Sequence, residues 1–169
     1  MNQSQKIVGI GAASGVTLMA LSVWLLTGLL PQPAIPDATA DRLAYALRAN
    51  VVALLPLFAM LMAIGNSRFL SDAIDPTLRA ESKAMEIDGR VAGNTLEQTF
   101  GFVITSLALS TLVPLAQLQA VWACTIVFVV ARVAFWIGYR INPLYRAPGF
   151  AATVYLNLGM IGYVLYQIF

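Results

Sequence analysis

Five long, mainly apolar stretches constrain this chain more than any other feature. They cover residues 7–30, 42–64, 88–113, 118–139 and 149–169. An α-helix rises about 1.5 Å per residue, so about 20 apolar residues cross the roughly 30 Å hydrocarbon layer of a membrane. Of the 169 residues, 59% are hydrophobic and 11% charged, whereas a soluble domain carries about 25% charged residues. The sequence therefore predicts an all-α membrane protein with five transmembrane helices.

The first stretch has two interpretations, a retained span or a cleaved signal peptide. Lys6 precedes it, and the Ala-Thr-Ala sequence at 38–40 resembles a cleavage site. However, the apolar run is longer than the roughly 7–15 apolar residues typical of a signal peptide. We therefore expect a retained span, followed by a proline-rich linker that no helix can continue through.

Local signals predict how the second span begins and bends. Asp41 is a candidate N-cap for a helix over residues 42–64. Pro56, inside that helix, lacks a backbone N–H and is expected to kink it. A mixed-charge polar loop is predicted over residues 65–87.

The basic residues predict the orientation in the membrane. With five spans, most of them fall on the side that holds the N-terminus: Lys6, Arg68, Arg79, Lys83, Arg90, Arg140 and Arg146. Cytoplasmic loops are enriched in lysine and arginine. The sequence therefore predicts a multi-pass membrane protein with a cytoplasmic N-terminus and an outward C-terminus.

Composition excludes several kinds of chemistry. The chain has no histidine, so imidazole can serve neither as a base nor as a metal ligand. Cys124 is the only cysteine, which rules out an intrachain disulfide and a multi-thiolate metal site. No metal site is expected, and Cys124 is most simply a small buried hydrophobic residue.

Polar residues at the start of the third span point to a candidate site. Arg90, Asn94 and Glu97 are spaced i, i+4 and i+7, so they share one face of a helix. Charged groups at the mouth of a span are costly unless they pair or bind a ligand. Arg132, Tyr139 and Arg146 are expected at the same membrane side on later spans. Such a mixture of arginines, an amide and a carboxylate suits a small zwitterionic or peptide-like ligand.

Two alternatives to ligand binding remain at this stage. These polar groups can pair with one another and lock the helices together. Arg146 can also act as a positively charged anchor at the level of the lipid headgroups.

Three motifs on successive spans carry a family resemblance. They read Arg90-x-x-x-Asn94-x-x-Glu97, then Ala131-Arg132-x-x-Phe135-x-x-Gly138-Tyr139, then Arg146-Ala-Pro-Gly-Phe150. Together they resemble the membrane-associated proteins in eicosanoid and glutathione metabolism, a family that includes microsomal glutathione transferases and leukotriene and prostaglandin synthases. The resemblance covers roughly residues 43–169, the four-helix subunit of that family. It implies a four-helix transmembrane bundle over residues 41–169, preceded by one extra transmembrane helix and linker over residues 1–40.

The resemblance also implies a function. The implied function is that of a glutathione-dependent transferase or peroxidase, which acts on lipophilic electrophiles at the membrane and uses glutathione as co-substrate. Arg146 matches the residue that activates the thiol. The positions that match glutathione contacts are Arg68, Arg90, Asn94, Glu97, Arg132 and Tyr139. The implied partners are glutathione, a lipophilic small molecule, membrane lipid and, in a homotrimer, two further copies of the chain. No nucleic-acid partner is expected.

Two residues depart from the family pattern. Gln98 follows Glu97 where several members have tyrosine, and Phe135 replaces a tyrosine that often helps to bind. Some members of the family bind lipid without catalysis. A non-catalytic membrane protein that binds a lipid or stabilises an assembly is therefore the alternative function.

Overall fold

Helices account for nearly all of the chain. The computed structural model describes residues 2–78 and 80–169, and within them it contains α-helices and short turns but no strand. The helices are α1 (Gln3–Leu29), α2 (Thr39–Ala53), α3 (Leu55–Phe69), α4 (Lys83–Leu112), α5 (Ala120–Ile141) and α6 (Ala147–Ile168). Because α2 and α3 form one bent rod, the described residues make a four-helix bundle plus one extra N-terminal helix. The predicted fold class is confirmed.

The bend between α2 and α3 has a local cause. The break falls at Leu54, two residues before Pro56. Without an N–H, the proline cannot donate to the carbonyl of Val52, so the hydrogen-bond ladder is interrupted there. The prediction of an Asp41 N-cap is wrong. Helix α2 begins at Thr39 after Ala38, which makes no side-chain cap, and Asp41 lies in the first turn, where the helix dipole favours an acid.

The polar loop is shorter than the sequence predicts, because the helices extend into it from both sides. Helix α3 continues to Phe69. Helix α4 begins at Lys83 because Ser82 caps it, its hydroxyl accepting from the backbone N–H of Met85 at 3.3 Å. Two short 3-10 turns, Asp72–Ile74 and Pro76–Leu78, lie between them. Arg79, one of the basic residues used to predict orientation, lies outside the described residues.

Within the described residues, four helical stretches are long and apolar enough to cross a membrane. They are Gln3–Leu29, Thr39–Phe69, Leu115–Ile141 and Pro143–Ile168. Helix α4, the predicted third span, has 30 residues and so ample length, but its first half carries the polar stripe. One face of it packs against α2, α3, α5 and α6, while another face, with Leu96, Phe100 and Ile104, is exposed. The protein is an integral, multi-pass membrane protein.

We call the end of the bundle where α1, α4 and α6 begin the proximal end, and the opposite end the distal end. At the distal end, Arg42 joins the start of α2 to the end of α4. Its Nη1 donates to the carbonyl of Val113 at 2.6 Å and to that of Ser110 at 3.2 Å. An arginine placed there satisfies carbonyls that the last helical turn leaves without partners.

Glycines allow α1 to pack closely on the start of α6. A Cβ on Gly15 would lie 2.2 Å from the carbonyl oxygen of Pro148, and one on Gly11 would lie 3.2 Å from Pro148 Cδ. Gly11 and Gly15 are four residues apart and therefore share one helix face, the small-xxx-small pattern of close helix packing in membranes. The extra helix is thus an integral part of the bundle, in contact with α5 and α6.

Replacing Gly15 with alanine tests this packing. The new methyl group would overlap the backbone of Pro148, and overpacking of this kind costs about 1–3 kcal/mol. We expect Gly15→Ala to lower the Tm of the detergent-solubilised protein. Gly28→Ala is the matched control, because Gly28 lies on the same helix and a Cβ there meets no atom within 4 Å. Equal Tm values for the two variants would contradict the close contact.

Candidate functional site

A cavity of about 440 Å³ opens between α1, α4, α5 and α6 near the proximal end. We call it the proximal cavity. Four of the residues predicted for the site line it: Arg90, Asn94, Tyr139 and Arg146. The remainder of the lining is mainly apolar and includes Phe135 and Phe150, with Val8 and Ala12 from α1. The fold thus brings residues from three predicted spans together and adds a wall from the extra helix.

The polar lining of the cavity carries positive charge. The Nη1 of Arg146 donates to the hydroxyl oxygen of Tyr139 at 3.1 Å, and its guanidinium lies 5.1 Å from the centre of that ring. Neither Arg146 nor Arg90 forms a salt bridge with a carboxylate among the described residues. Both side chains are therefore available to a ligand carboxylate, which an arginine binds through paired N–H donors.

Arg132 lies behind the cavity and is fully buried. Its Nη1 donates to Asn94 Oδ1 at 2.9 Å, and its Nη2 donates to Thr153 Oγ1 and to the carbonyl of Gly149 at 3.4 Å. Its guanidinium also lies 4.6 Å from the centre of the Phe135 ring. Arg132 does not line the cavity. It orients Asn94, which does.

The other two predicted residues lie elsewhere. Arg68 pairs with Glu81 at the edge of a separate groove between α3 and α4, which Arg90 also lines. Glu97 is exposed one turn beyond Asn94 on α4, and it makes no hydrogen bond or salt bridge with the described residues. A single chain therefore does not assemble the complete predicted set around one cavity.

An ion pair that the sequence reasoning missed holds the proximal ends of α4 and α5 together. The buried carboxylate of Asp88 accepts from Arg140 Nε at 2.8 Å, from Arg140 Nη2 at 2.5 Å and from Trp136 Nε1 at 2.8 Å. The indication in the sequence was an aspartate at the mouth of the third span, together with Trp136 and Arg140, which are four residues apart and so share one face of the fourth span. This pair fixes the relative position of Arg90 and Tyr139, which are its near neighbours in sequence.

The two departures from the family pattern have structural roles. The amide oxygen and backbone carbonyl of Gln98 each accept from Asn157 Nδ2 at 3.0 Å, which ties α4 to α6. Phe135 is buried, with its ring 5.8 Å from that of Tyr139 and 6.1 Å from that of Phe150. Gln98 has therefore become an interhelical contact, and Phe135 offers the cavity an aromatic face without a hydroxyl.

The chemistry available in the cavity is that of cations and hydrogen bonds. No cluster of histidine, cysteine or carboxylate side chains that could hold a metal occurs in the described part of the chain. Two arginines, an amide and a phenol can bind a small anionic or zwitterionic molecule and can stabilise a negative charge on it.

Comparison with known proteins identifies the family. Residues 42–166 match the MAPEG family, and this region covers well over half of the chain. The chain belongs to the MAPEG family, as the motifs indicate. The match begins after α1, so the extra helix and its linker lie outside it.

A mouse relative is similar over much of this chain. Transmembrane protein 79 of Mus musculus is 25% identical over 137 residues, which cover 81% of this chain and 34% of that protein. The chain therefore spans about a third of the length of this relative.

The contact between Arg132 and Thr153 can be tested with a near-isosteric substitution. Thr153→Val removes an acceptor from a buried guanidinium, and leaving such a group unsatisfied costs about 1–3 kcal/mol or more. We expect a lower Tm and weaker ligand binding. Thr125→Val is the matched control, since Thr125 is also fully buried but its hydroxyl bonds only to Val121 O within its own helix. An equal loss of Tm in the two variants would show that Thr153 has no special role in holding Arg132.

Proposed function

We propose that this protein binds glutathione in the proximal cavity and uses it as a transferase or peroxidase on lipophilic electrophiles. The observation that carries the proposal is the convergence of Arg90, Asn94, Tyr139 and Arg146 on one cavity, with two arginines unpaired by any described carboxylate. Glutathione is a peptide-like zwitterion with two carboxylates and a thiol, and so matches these side chains. Membership of the MAPEG family gives independent support.

Arg146 is the residue we propose to activate the thiol. A free thiol has a pKa near 8.5, and the thiolate is the nucleophile. A guanidinium remains charged at all working pH values, so it stabilises the thiolate without exchanging protons. The contact between Arg146 and Tyr139 supports this role, because it turns the guanidinium toward the cavity.

The surroundings of the cavity suit a lipophilic second substrate. Apart from its arginines, amide and phenol, the cavity is lined by aliphatic and aromatic side chains, including Val154 and Tyr155 on α6. A compound dissolved in the bilayer can reach it between α1 and α4, which do not pack against each other as α1 and α6 do. We further propose that the proximal end faces the cytoplasm, where the basic residues on this side of the bundle are favoured. Residues 41–169 would form the catalytic domain, while α1 supplies one wall of the site.

The position of Glu97 supports a homotrimer. A carboxylate exposed in the middle of a helix within the bilayer is costly unless it meets a partner or a ligand. In a trimer, the exposed face of α4 would lie against a neighbouring subunit, and Glu97 would complete the site from that surface.

Arg146→Ala tests the proposed chemistry. Glutathione should raise the Tm of the wild-type protein, and the complex should conjugate a lipophilic electrophile. In Arg146→Ala we expect the pKa of the bound thiol to rise toward about 8.5, where each unit corresponds to about 1.4 kcal/mol. The measurements are thiolate absorbance of the complex against pH, and turnover.

Arg48→Ala is the matched control, since Arg48 is an exposed arginine on α2 away from the proximal cavity. An unchanged titration in Arg146→Ala would assign Arg146 to headgroup anchoring. The absence of both thermal stabilisation and conjugation would instead favour the non-catalytic, lipid-binding alternative.

Glu97→Gln tests the assembly and its contribution to the site. We expect the mass in mild detergent to correspond to three subunits for both the wild type and the variant, with weaker glutathione binding in the variant. Glu86→Gln is the control, since Glu86 is also exposed on α4. It should change neither the mass in detergent nor the binding of glutathione. A monomeric or dimeric wild type would contradict the trimer, and loss of assembly in Glu97→Gln would make Glu97 a structural contact.

A further inference from the structure

The extra helix α1 contributes two side chains to the proximal cavity, Val8 and Ala12. They are four residues apart, so they lie one above the other on one face of the helix. Val8 is 39% exposed and stands at the rim of the cavity, whereas Ala12 is half-buried one turn farther from the proximal end. The family match begins at residue 42, so both positions belong to a part of this chain that the family pattern does not describe.

The face of α1 that carries Val8 and Ala12 is turned toward α4. Gly15, on the adjacent face, lies against the start of α6. Met19 and Val23, which continue the face of Val8 and Ala12, line a second cavity together with residues of α4. Since α1 does not pack against α4 as it does against α6, a space remains between α1 and α4, and the side chains at positions 8 and 12 border it.

The backbone of α1 is fixed where it borders this space. A Cβ on Gly15 would lie 2.2 Å from the carbonyl oxygen of Pro148, so the two backbones are already in contact. The helix therefore cannot move toward α6 to make room for a larger ligand, because close-packed atoms do not yield in this way. The width of the cavity on this side is determined by the side chains of Val8 and Ala12.

The walls of the cavity differ in chemistry. Arg90 and Asn94 on α4 and Arg146 at the start of α6 can hold the polar part of a ligand, whereas α1 offers only the small apolar side chains of Val8 and Ala12. An apolar group on a ligand whose anionic part is held by the arginines has α1 as one of its walls.

We propose that the extra helix sets the size of the electrophile that this protein accepts, with Ala12 leaving room for its apolar group and Val8 limiting that room at the rim. The inference rests on the proposed function, because the group in question is the one joined to glutathione. In conjugation the thiolate sulfur bonds to the electrophilic carbon, and the leaving group departs with the bonding electron pair. The product therefore carries the apolar group on its sulfur, and that group must fit beside α1.

Two conjugates that differ only in the group on sulfur test this inference. The dissociation constants of S-methylglutathione and S-(naphthylmethyl)glutathione are measured on the full-length protein in detergent, and the ratio of the second to the first is compared between variants. We expect Ala12→Leu to raise this ratio about tenfold or more, because a single methylene in an apolar pocket already changes discrimination by about that factor. Val8→Ala, which shortens the side chain at the rim, should lower the ratio.

Ala13→Leu and Val16→Ala are the matched controls, since they make the same changes on the same helix at residues that do not line the proximal cavity. Ala13 is exposed and lies two positions from both Gly11 and Gly15, which places it on the opposite side of α1 from the contact with α6. Both controls should leave the ratio unchanged.

The outcomes separate this inference from the proposed function. An unchanged ratio in Ala12→Leu and Val8→Ala, with both conjugates still bound, would contradict the inference and leave the proposed function standing. An equal rise in Ala13→Leu would also contradict it, by showing a general disturbance of α1. If Ala12→Leu does not fold, Val8→Ala, which only removes atoms, decides the matter. Failure of glutathione and of both conjugates to bind the wild-type protein would overturn the proposed function and this inference with it.

Discussion

The arrangement of the site depends on the contacts of one buried group, the guanidinium of Arg132. Removing such a cation from water is costly, and no described carboxylate neutralises it. Its two terminal nitrogens donate instead to Asn94 on α4 and to Gly149 and Thr153 on α6, while its buried Nε has no hydrogen-bond partner among the described residues. The guanidinium also stacks on Phe135 of its own helix. Those contacts exist at only one relative position of the three helices. The register of the bundle and the orientation of Asn94 therefore follow from one side chain.

Close backbone packing makes this register possible. A Cβ at Gly149 would lie 2.5 Å from the carbonyl oxygen of Ala131 and from the backbone nitrogen of Phe135. The start of α6 thus lies directly against α5, and on its other side Gly15 lets α1 approach Pro148 equally closely. These contacts bring Arg132 within reach of Gly149 and place α1 beside the cavity. The extra helix becomes part of the site because small residues allow it to approach.

The described arginines at the proximal end fall into two groups, those that form a salt bridge with a carboxylate and those that do not. Arg140 is held by the buried Asp88, and Arg68 pairs with Glu81. Arg90 and Arg146 have no such partner in the described part of the chain, and both line the proximal cavity. The Arg140–Asp88 pair joins α5 to α4, and the Arg68–Glu81 pair joins α3 to the loop before α4. The unpaired arginines leave a positive field in a cavity with apolar walls, where electrostatic interactions are stronger than in water. This contrast is the physical basis for assigning an anionic ligand to the cavity.

The sequence alone determined the class of protein, because the number and length of apolar stretches specify a helical membrane bundle. Its three motifs also indicated the MAPEG family and four residues that line one cavity. Tertiary structure decided the rest. The i, i+4, i+7 spacing places Arg90, Asn94 and Glu97 on one face, but a helix face is broad, and only packing against α5 and α6 turns Asn94 inward and leaves Glu97 exposed. The Asp88–Arg140 pair and the α1 wall join residues far apart in the chain, and no local pattern encodes such contacts.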